Sequence, residues 1–388
     1  MEVINNPSLK MKKNKLKIVT VVGTRPEIIR LSLIIKKFDK FFDHKFIHTG
    51  QNYDFELNEI FFEELQIRKP DYFLDAASEN LGATIGNIIS KSFNIFEQIK
   101  PDALFVLGDT NSSLCEISAK RLKIPIFHYE AGNRCFDLNV PEEINRKIAD
   151  HLADVNLTYS LNSKKYLISE GFRKDFVISV GSPMKEILDF YMPKIKQSKI
   201  LKTLNIKEKN YILASIHREE NLDLKQNFES IINSLNYIGK EKSLPIIFST
   251  HPRTRKKIQK LKLVDTKSNI SFIKPLGFFD YVNLQLNSFV TLSDSGTLSE
   301  ESAILNFPAV IVRTSTERPE AIEFGNILLG NIDPDNLYNS VEITIDSHVN
   351  QDQHKIPFDY DFDNISSKIV KIIQGYTPKI KSETWKKK

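Results

Sequence analysis

Short β-branched runs alternate with amphipathic helical stretches along most of this chain, and the series starts over near residue 211. KIVTVV (Lys17–Val22), KFIHT (Lys45–Thr49), DALFVL (Asp102–Leu107), PIFHY (Pro125–Tyr129) and VNLTY (Val155–Tyr159) read as strands. Helical patterns fall between them, notably at Pro26–Phe38, Leu81–Ile99 and Asn111–Leu122. Such alternation predicts a parallel sheet covered on both faces by helices. A polar, Lys-rich passage near 194–209 follows. Then YILASI (Tyr211–Ile216), PIIFST (Pro245–Thr250), ISFI (Ile270–Ile273), FVTLS (Phe289–Ser293) and PAVIV (Pro308–Val312) build a second unit. A chain of 388 residues exceeds what one hydrophobic core supports. The expected fold class is therefore α/β, with two doubly wound domains over 1–190 and 191–360. A final helical stretch, Phe362–Gln374, is placed to return to the first domain. Ligands in this architecture bind outside the carboxyl ends of the strands, here in the cleft between the domains.

Charge narrows the range of partners. The net charge is +5, but residues 1–17 and 375–388 each hold five Lys against one Glu, so the middle of the chain is slightly acidic. A basic face for nucleic acid is not expected. No apolar run approaches the ~20 residues of a membrane helix, and no signal-peptide core opens the chain, so a cytoplasmic protein without a membrane partner is expected. Cys115 and Cys135 belong to no CxxC pair, which points to free thiols rather than a disulfide or a metal site.

The strand tips carry the chemistry. Between Glu130 and Arg146 the chain reads EAGNRCFDLNVPEEINR, with Glu130, Arg134, Glu142, Glu143 and Arg146 crowded beyond a buried strand. GDT (Gly108–Thr110) ends the preceding strand, so Asp109 and Glu130 sit on neighbouring tips unless Asp109 merely caps the next helix. Paired carboxylates repel each other, which raises at least one pKa and suits proton abstraction and return at carbon. Glu142 and Arg146 are four apart and share one helical face, in an ion pair by default. GTRPE (Gly23–Glu27) brings the backbone and Arg25 to a helix start that favours an anion, and no GxGxxG supports a dinucleotide. In the second unit the tips carry His217, His251, and Ser295–Gly296 at a helix start suited to phosphate. Glu301 follows at a distance that suits a ribose diol, and Arg313 stands beyond the next strand. The set predicts a cleft for a diphosphate-bearing ligand.

These motifs resemble the non-hydrolysing UDP-N-acetylglucosamine 2-epimerases, in that family's order across about residues 17–330. The resemblance rests on GTRPE, GDT, EAG with PEE-NR, HREEN, SDSG with the following Glu pair, and TERPEA. It implies two Rossmann-like domains in a glycosyltransferase-B-like arrangement and a UDP-N-acetylhexosamine substrate, with no cofactor. It also implies C2 epimerisation by UDP elimination and re-addition, and a homodimer. Asp109, Glu130 and Glu142 match the family's acid/base carboxylates. Arg146 and His217 match residues that neutralise the departing diphosphate. Arg25, Ser295 and Glu301 match nucleotide contacts, and Gln51 matches a glutamine near the sugar. One position departs: Arg30 stands where the family often has Lys, and a guanidinium that never deprotonates suits phosphate rather than proton transfer. Arg134, His251, Gly296 and Arg313 complete the expected substrate-binding set. EAGNRCFD, GSPM (Gly181–Met184) and THPRTR (Thr250–Arg255) are similar to the UDP-N-acetyl-L-fucosamine synthase branch, which serves capsule and O-antigen synthesis. The other branch considered acts on UDP-2,3-diacetamido-2,3-dideoxyglucuronic acid. A UDP-sugar glycosyltransferase would share the cleft but has no need of carboxylates converging on C2.

Overall fold

The computed structural model describes residues 14–51, 55–222, 224–250, 254–255, 257–258, 269–313, 316–350 and 355–386. Two parallel sheets form the frame. The first contains β1 (Lys17–Val22), β2 (Asp43–His48), β3 (Tyr72–Phe73), β4 (Ala103–Leu107), β5 (Ile126–Tyr129), β6 (Val155–Thr158) and β7 (Val177–Ser179), in the order β3-β2-β1-β4-β5-β6-β7. The second contains β8 (Ile212–Ser215), β9 (Ile246–Ser249), β10 (Ile270–Ile273), β11 (Val290–Ser293), β12 (Ala309–Ile311) and β13 (Leu328–Leu329), in the order β10-β9-β8-β11-β12-β13. Chain order reverses between β1 and β4 and again between β8 and β11. Those switch points lie where β-strand tips leave a crevice open to ligands.

Burial explains the strands. Every residue of β4 is buried, as is all of β5 and β11, because helices cover both faces of each sheet. Helix Arg25–Phe41 starts with Pro26 in its first turn and buries Ile28, Leu31, Ile34, Ile35 and Phe38, one stripe at helical spacing. Helix Ile365–Glu383 buries Ile365, Ile369, Ile373 and Ile380 in the same core, together with Ile187, Leu188 and Tyr191 of helix Met184–Lys196. The chain therefore enters the second domain after Lys196 and returns to the first before Ile365.

The domains are fastened directly. Glu64 of the first accepts the backbone N–H groups of Phe278 and Phe279, at 2.7 and 2.8 Å, at the start of helix Phe278–Asn287. A carboxylate at a helix N-terminus completes unpaired donors and opposes the positive end of the dipole. Phe278 and Val282 also join the core of the first domain.

Beneath the first sheet, Glu116 is fully buried, neither carboxylate oxygen has a hydrogen-bond partner among the described residues, and burial pushes its pKa up to about 8. A carboxyl that keeps its proton longer when folded contributes stability fully present below its unfolded value near 4.5 and lost as pH rises towards 8. Glu116→Met should flatten that decline, raising the urea midpoint at pH 8 more than at pH 5; an equal change at both pH values would refute the assignment.

Candidate active site

At the first tip, β1 runs into the turn Gly23–Thr24 with no room for a side chain: a Cβ on Gly23 would come 2.3 Å from Thr49 Oγ1 and 2.9 Å from Gln51 Cδ. Gln51 is thereby packed under the turn. Glu27 draws the turn tight. Its buried carboxyl accepts Gly23 N–H at 3.0 Å and Thr24 Oγ1–H at 2.7 Å, and Ser112 Oγ–H from the segment after Asp109. Burial outweighs these bonds and lifts its pKa to about 7. Sequence reasoning passed over Glu27, although a Glu three residues after a Thr at a helix start is the signal for such a tie. Arg25 faces the cleft, with its guanidinium 5.6 Å from the centre of the Phe61 ring.

Asp109 is not a helix cap. The cap of the short 3-10 helix Asn111–Cys115 is Thr110, whose hydroxyl accepts Ser112 N–H at 3.3 Å. Asp109 instead accepts two bonds on Oδ2 from Arg146, at 3.0 Å from Nε and 2.6 Å from Nη2. Arg146 also holds Glu143 at 3.0 Å, so the default Glu142–Arg146 pair does not form. The helix Pro141–Leu152 turns Glu143 inward, fully buried, and leaves Glu142 half-buried without an ion pair among the described residues. Burial, and next the Asp109 charge, push the Glu142 carboxyl above its ordinary range. One carboxylate fixed by an arginine thus stands near a second that holds its proton more readily, an arrangement able to donate and accept protons around one ligand.

Glu130 sits at the tip of β5 with φ +69°, a left-handed conformation unusual for a residue with a Cβ. Its carboxylate meets Arg30 at 2.7 Å and Arg318 from the second domain. Burial pushes its pKa up, but Arg30, Arg318 and Arg146 overcome that and hold it below the ordinary value.

Arg134 makes its bonds apart from this group. Its Nε and Nη2 grip Glu170 at 2.8 and 2.6 Å, and Nη1 binds Asp150 at 2.7 Å and the Asn133 carbonyl. Those bonds occupy the guanidinium and fix the loop after Glu130. Asp150, fully buried, also accepts Gly132 N–H at 3.1 Å and lies 3.0 Å from His128 Nδ1. The other ring nitrogen of His128 is 2.8 Å from the carbonyl of Gly108, the residue before Asp109. Burial opposes charging His128, yet Asp150 prevails and raises it to about 9.

Across the cleft, Asp294 organises the second domain's tips. This buried carboxylate accepts the backbone N–H groups of His217 at 3.1 Å and Arg218 at 2.9 Å, and Asn221 Nδ2 at 3.0 Å. The His217 ring, 44% exposed, lines the cavity with its Nδ1 3.2 Å from Asp294 Oδ1. Ser295 lines the same cavity just before helix Thr297–Leu305. A Cβ on Gly296 would lie 2.6 Å from Glu317 Oε1, so a side chain there would have to displace that carboxylate. Glu301 is held by Gln285 at 2.6 Å and burial raises its pKa. Arg313 is buried and pairs with Glu317 at 2.9 Å. His251 lies outside the described residues. Arg25, Arg30, Ser215, His217, Ser295 and Glu301 line one cavity, together with Pro275, Leu276 and Phe278.

Two parallel-sheet domains meeting over a cleft of this kind give a glycosyltransferase-B-like architecture. Residues 36–374 match the family model described as UDP-N-acetylglucosamine 2-epimerase, and the chain belongs to that family, the non-hydrolysing UDP-sugar 2-epimerases, which are isomerases. A Methanococcus maripaludis protein named UDP-N-acetylglucosamine 2-epimerase homolog is 40% identical over 81% of this chain and 89% of its own. The solved structure of UDP-N-acetylglucosamine 2-epimerase from Rickettsia bellii is 44% identical, with TM-score 0.90, over 96% of this chain and 100% of the other. The Methanocaldococcus jannaschii UDP-GlcNAc 2-epimerase, solved in complex with UDP-GlcNAc and UDP, is 32% identical, with TM-score 0.86, over 92% and 99%. No described helix is long and apolar enough to cross a membrane.

Proposed function

We propose that this enzyme inverts C2 of a UDP-N-acetylhexosamine by eliminating and re-adding UDP. A carboxylate takes the C2 proton as the C1–O bond to UDP breaks, leaving a 2-acetamidoglycal. Attack by UDP at C1 restores that bond while a proton reaches the opposite face of C2. The observation that carries this reading is the Glu142 carboxyl, close enough to the Arg146-bound Asp109 to be raised by its charge and close enough to Arg218 of the second domain to be lowered by it. Two carboxyl groups in different environments can take the two faces of the sugar. Arg25, Arg146, His217 and the helix start stabilise the UDP anion as it departs. Glu301 suits the ribose, and the apolar wall at Pro275–Phe278 suits the base.

For the sugar we infer UDP-N-acetyl-6-deoxy-L-talosamine, giving the L-fucosamine derivative for capsule or O-antigen synthesis. The support is the loop after Glu130. Asn133, in place of the family's common Leu, is buried and spans Glu130 Oε1 at 3.4 Å and Ser163 Oγ at 2.9 Å. The second reading is UDP-N-acetylglucosamine, the substrate named for the relatives above. Incubation in deuterium oxide with each UDP-sugar, including the diacetamidoglucuronate, followed by NMR at C2, separates the readings. Exchange and inversion are expected fastest for the 6-deoxy-L-talo/L-fuco pair. Faster exchange with another sugar would refute the substrate, and no exchange with any would refute the reaction. We further infer a homodimer, since Phe136, Leu138 and Ile144 are 68, 66 and 50% exposed on one stretch of the first domain; light scattering at monomer mass would refute it.

A further inference from the structure

Two arginines and two glutamates close a ring across the cleft. Arg30 bonds Glu130 at 2.7 Å and Glu300 at 2.8 Å, and Arg318 bonds Glu300 at 3.2 Å and Glu130. Arg30 and Glu130 belong to the first domain, Glu300 and Arg318 to the second. Two of the four bonds therefore cross between domains, and opening would leave each domain one neutral pair. All four side chains are at most 11% exposed. Both guanidiniums sit 5.5 Å from the centre of the Tyr159 ring, and Ser182 Oγ–H completes Glu300. Only Arg30 of the four lines the cavity.

We propose that this ring is the closure element of the enzyme and that Arg318 is a positioning residue for epimerisation, fastening the second domain to the Glu130 strand tip when the cleft shuts. The proposal rests on the C2-epimerase reading for its kinetic consequences, not for the closure itself. A ring of balanced charge forms only when the domains meet, so a buried ionic contact here gives specificity to one closed geometry rather than bulk stability. It also sets the state of Glu130. Tethered to two cations when closed and one when open, Glu130 stays an anion during the reaction and orients the loop, leaving proton movement to Asp109 and Glu142. The charged and titratable groups around it are Arg30 from helix Arg25–Phe41, Arg146 from helix Pro141–Leu152, Glu300 from helix Thr297–Leu305, Arg318, Tyr129 and Tyr159.

The test uses the full-length enzyme. Arg318→Gln should lower kcat by about 10²-fold, the scale of losing one charge-stabilising donor, while the Kd for UDP stays within about threefold. Its acidic limb of kcat should move to higher pH, because Glu130 with one cation protonates more easily; Arg318→Lys should leave the limb near that of the wild type. Arg318→Gln combined with Glu300→Gln restores charge balance and should lose no more than the worse single variant. Small-angle scattering with UDP should give a larger radius of gyration for Arg318→Gln than for wild type. An unchanged kcat, an unmoved pH limb, a loss confined to UDP affinity, additive double-variant losses or an unchanged radius would each overturn the proposal. If wild-type enzyme exchanges no C2 proton with any UDP-sugar, the epimerase reading fails instead, and the scattering comparison still decides on the ring.

Discussion

Asp109→Asn is expected to lower turnover by about 10²–10⁴-fold, the usual worth of a positioned acid–base group, while UDP still binds. The amide keeps the shape of the side chain and can still accept a bond from Arg146, so the loop at the tip of β4 should hold its place. What disappears is the charge that Arg146 now fixes at 2.6 Å and that pushes the neighbouring Glu142 carboxyl upward. Calorimetric titration with UDP and C2 deuterium exchange, measured on one preparation, check the result. Turnover within tenfold of wild type would remove Asp109 from the chemistry, and loss of UDP affinity would make it a binding residue instead.

The second large effect is on stability. Asp150→Ala should destabilise the first domain by about 3–5 kcal/mol, because it strips the partner from a buried guanidinium and a buried imidazolium at once. Arg134 would keep Glu170, but His128, raised to about 9 by Asp150, would have to lose its proton or remain charged without its counter-ion. The urea midpoint reports this, and a shift below about 1 kcal/mol would show that the network relaxes around the gap. Activity should fall as well, since His128 holds the Gly108 carbonyl next to Asp109.

Much of the frame could be read from the chain. The longer strands announce themselves as apolar runs, and each is found within a residue or two of where its pattern places it. β3, β7 and β13, of two or three residues each, were not among those read. The cleft's local motifs were legible for a related reason: Gly108–Asp109 and Ser295–Gly296 are strand-to-helix turns whose residue types are dictated by local geometry. Spacing on one helix could not tell which glutamate Arg146 would choose, because Glu142 and Glu143 are both within its reach and only the packing of the helix turns Glu143 inward. The partners of Arg134, Asp150 and Glu170, lie 16 and 36 residues away and were not legible from its loop. The Arg30–Glu300 and Arg318–Glu130 bonds span 270 and 188 residues, and nothing local marks them.

The return of the last helix to the first domain bears on how the cleft can move. A second domain tethered at one end could twist as well as swing. Here the polypeptide crosses between the halves twice, after Lys196 and before Ile365, and both crossings are anchored in the same core by Ile187, Tyr191, Ile369 and Ile373. A two-ply spine of this kind resists torsion and leaves a page-turning motion as the soft direction. The strand tips of one half would then meet those of the other in the same register each time the cleft closes.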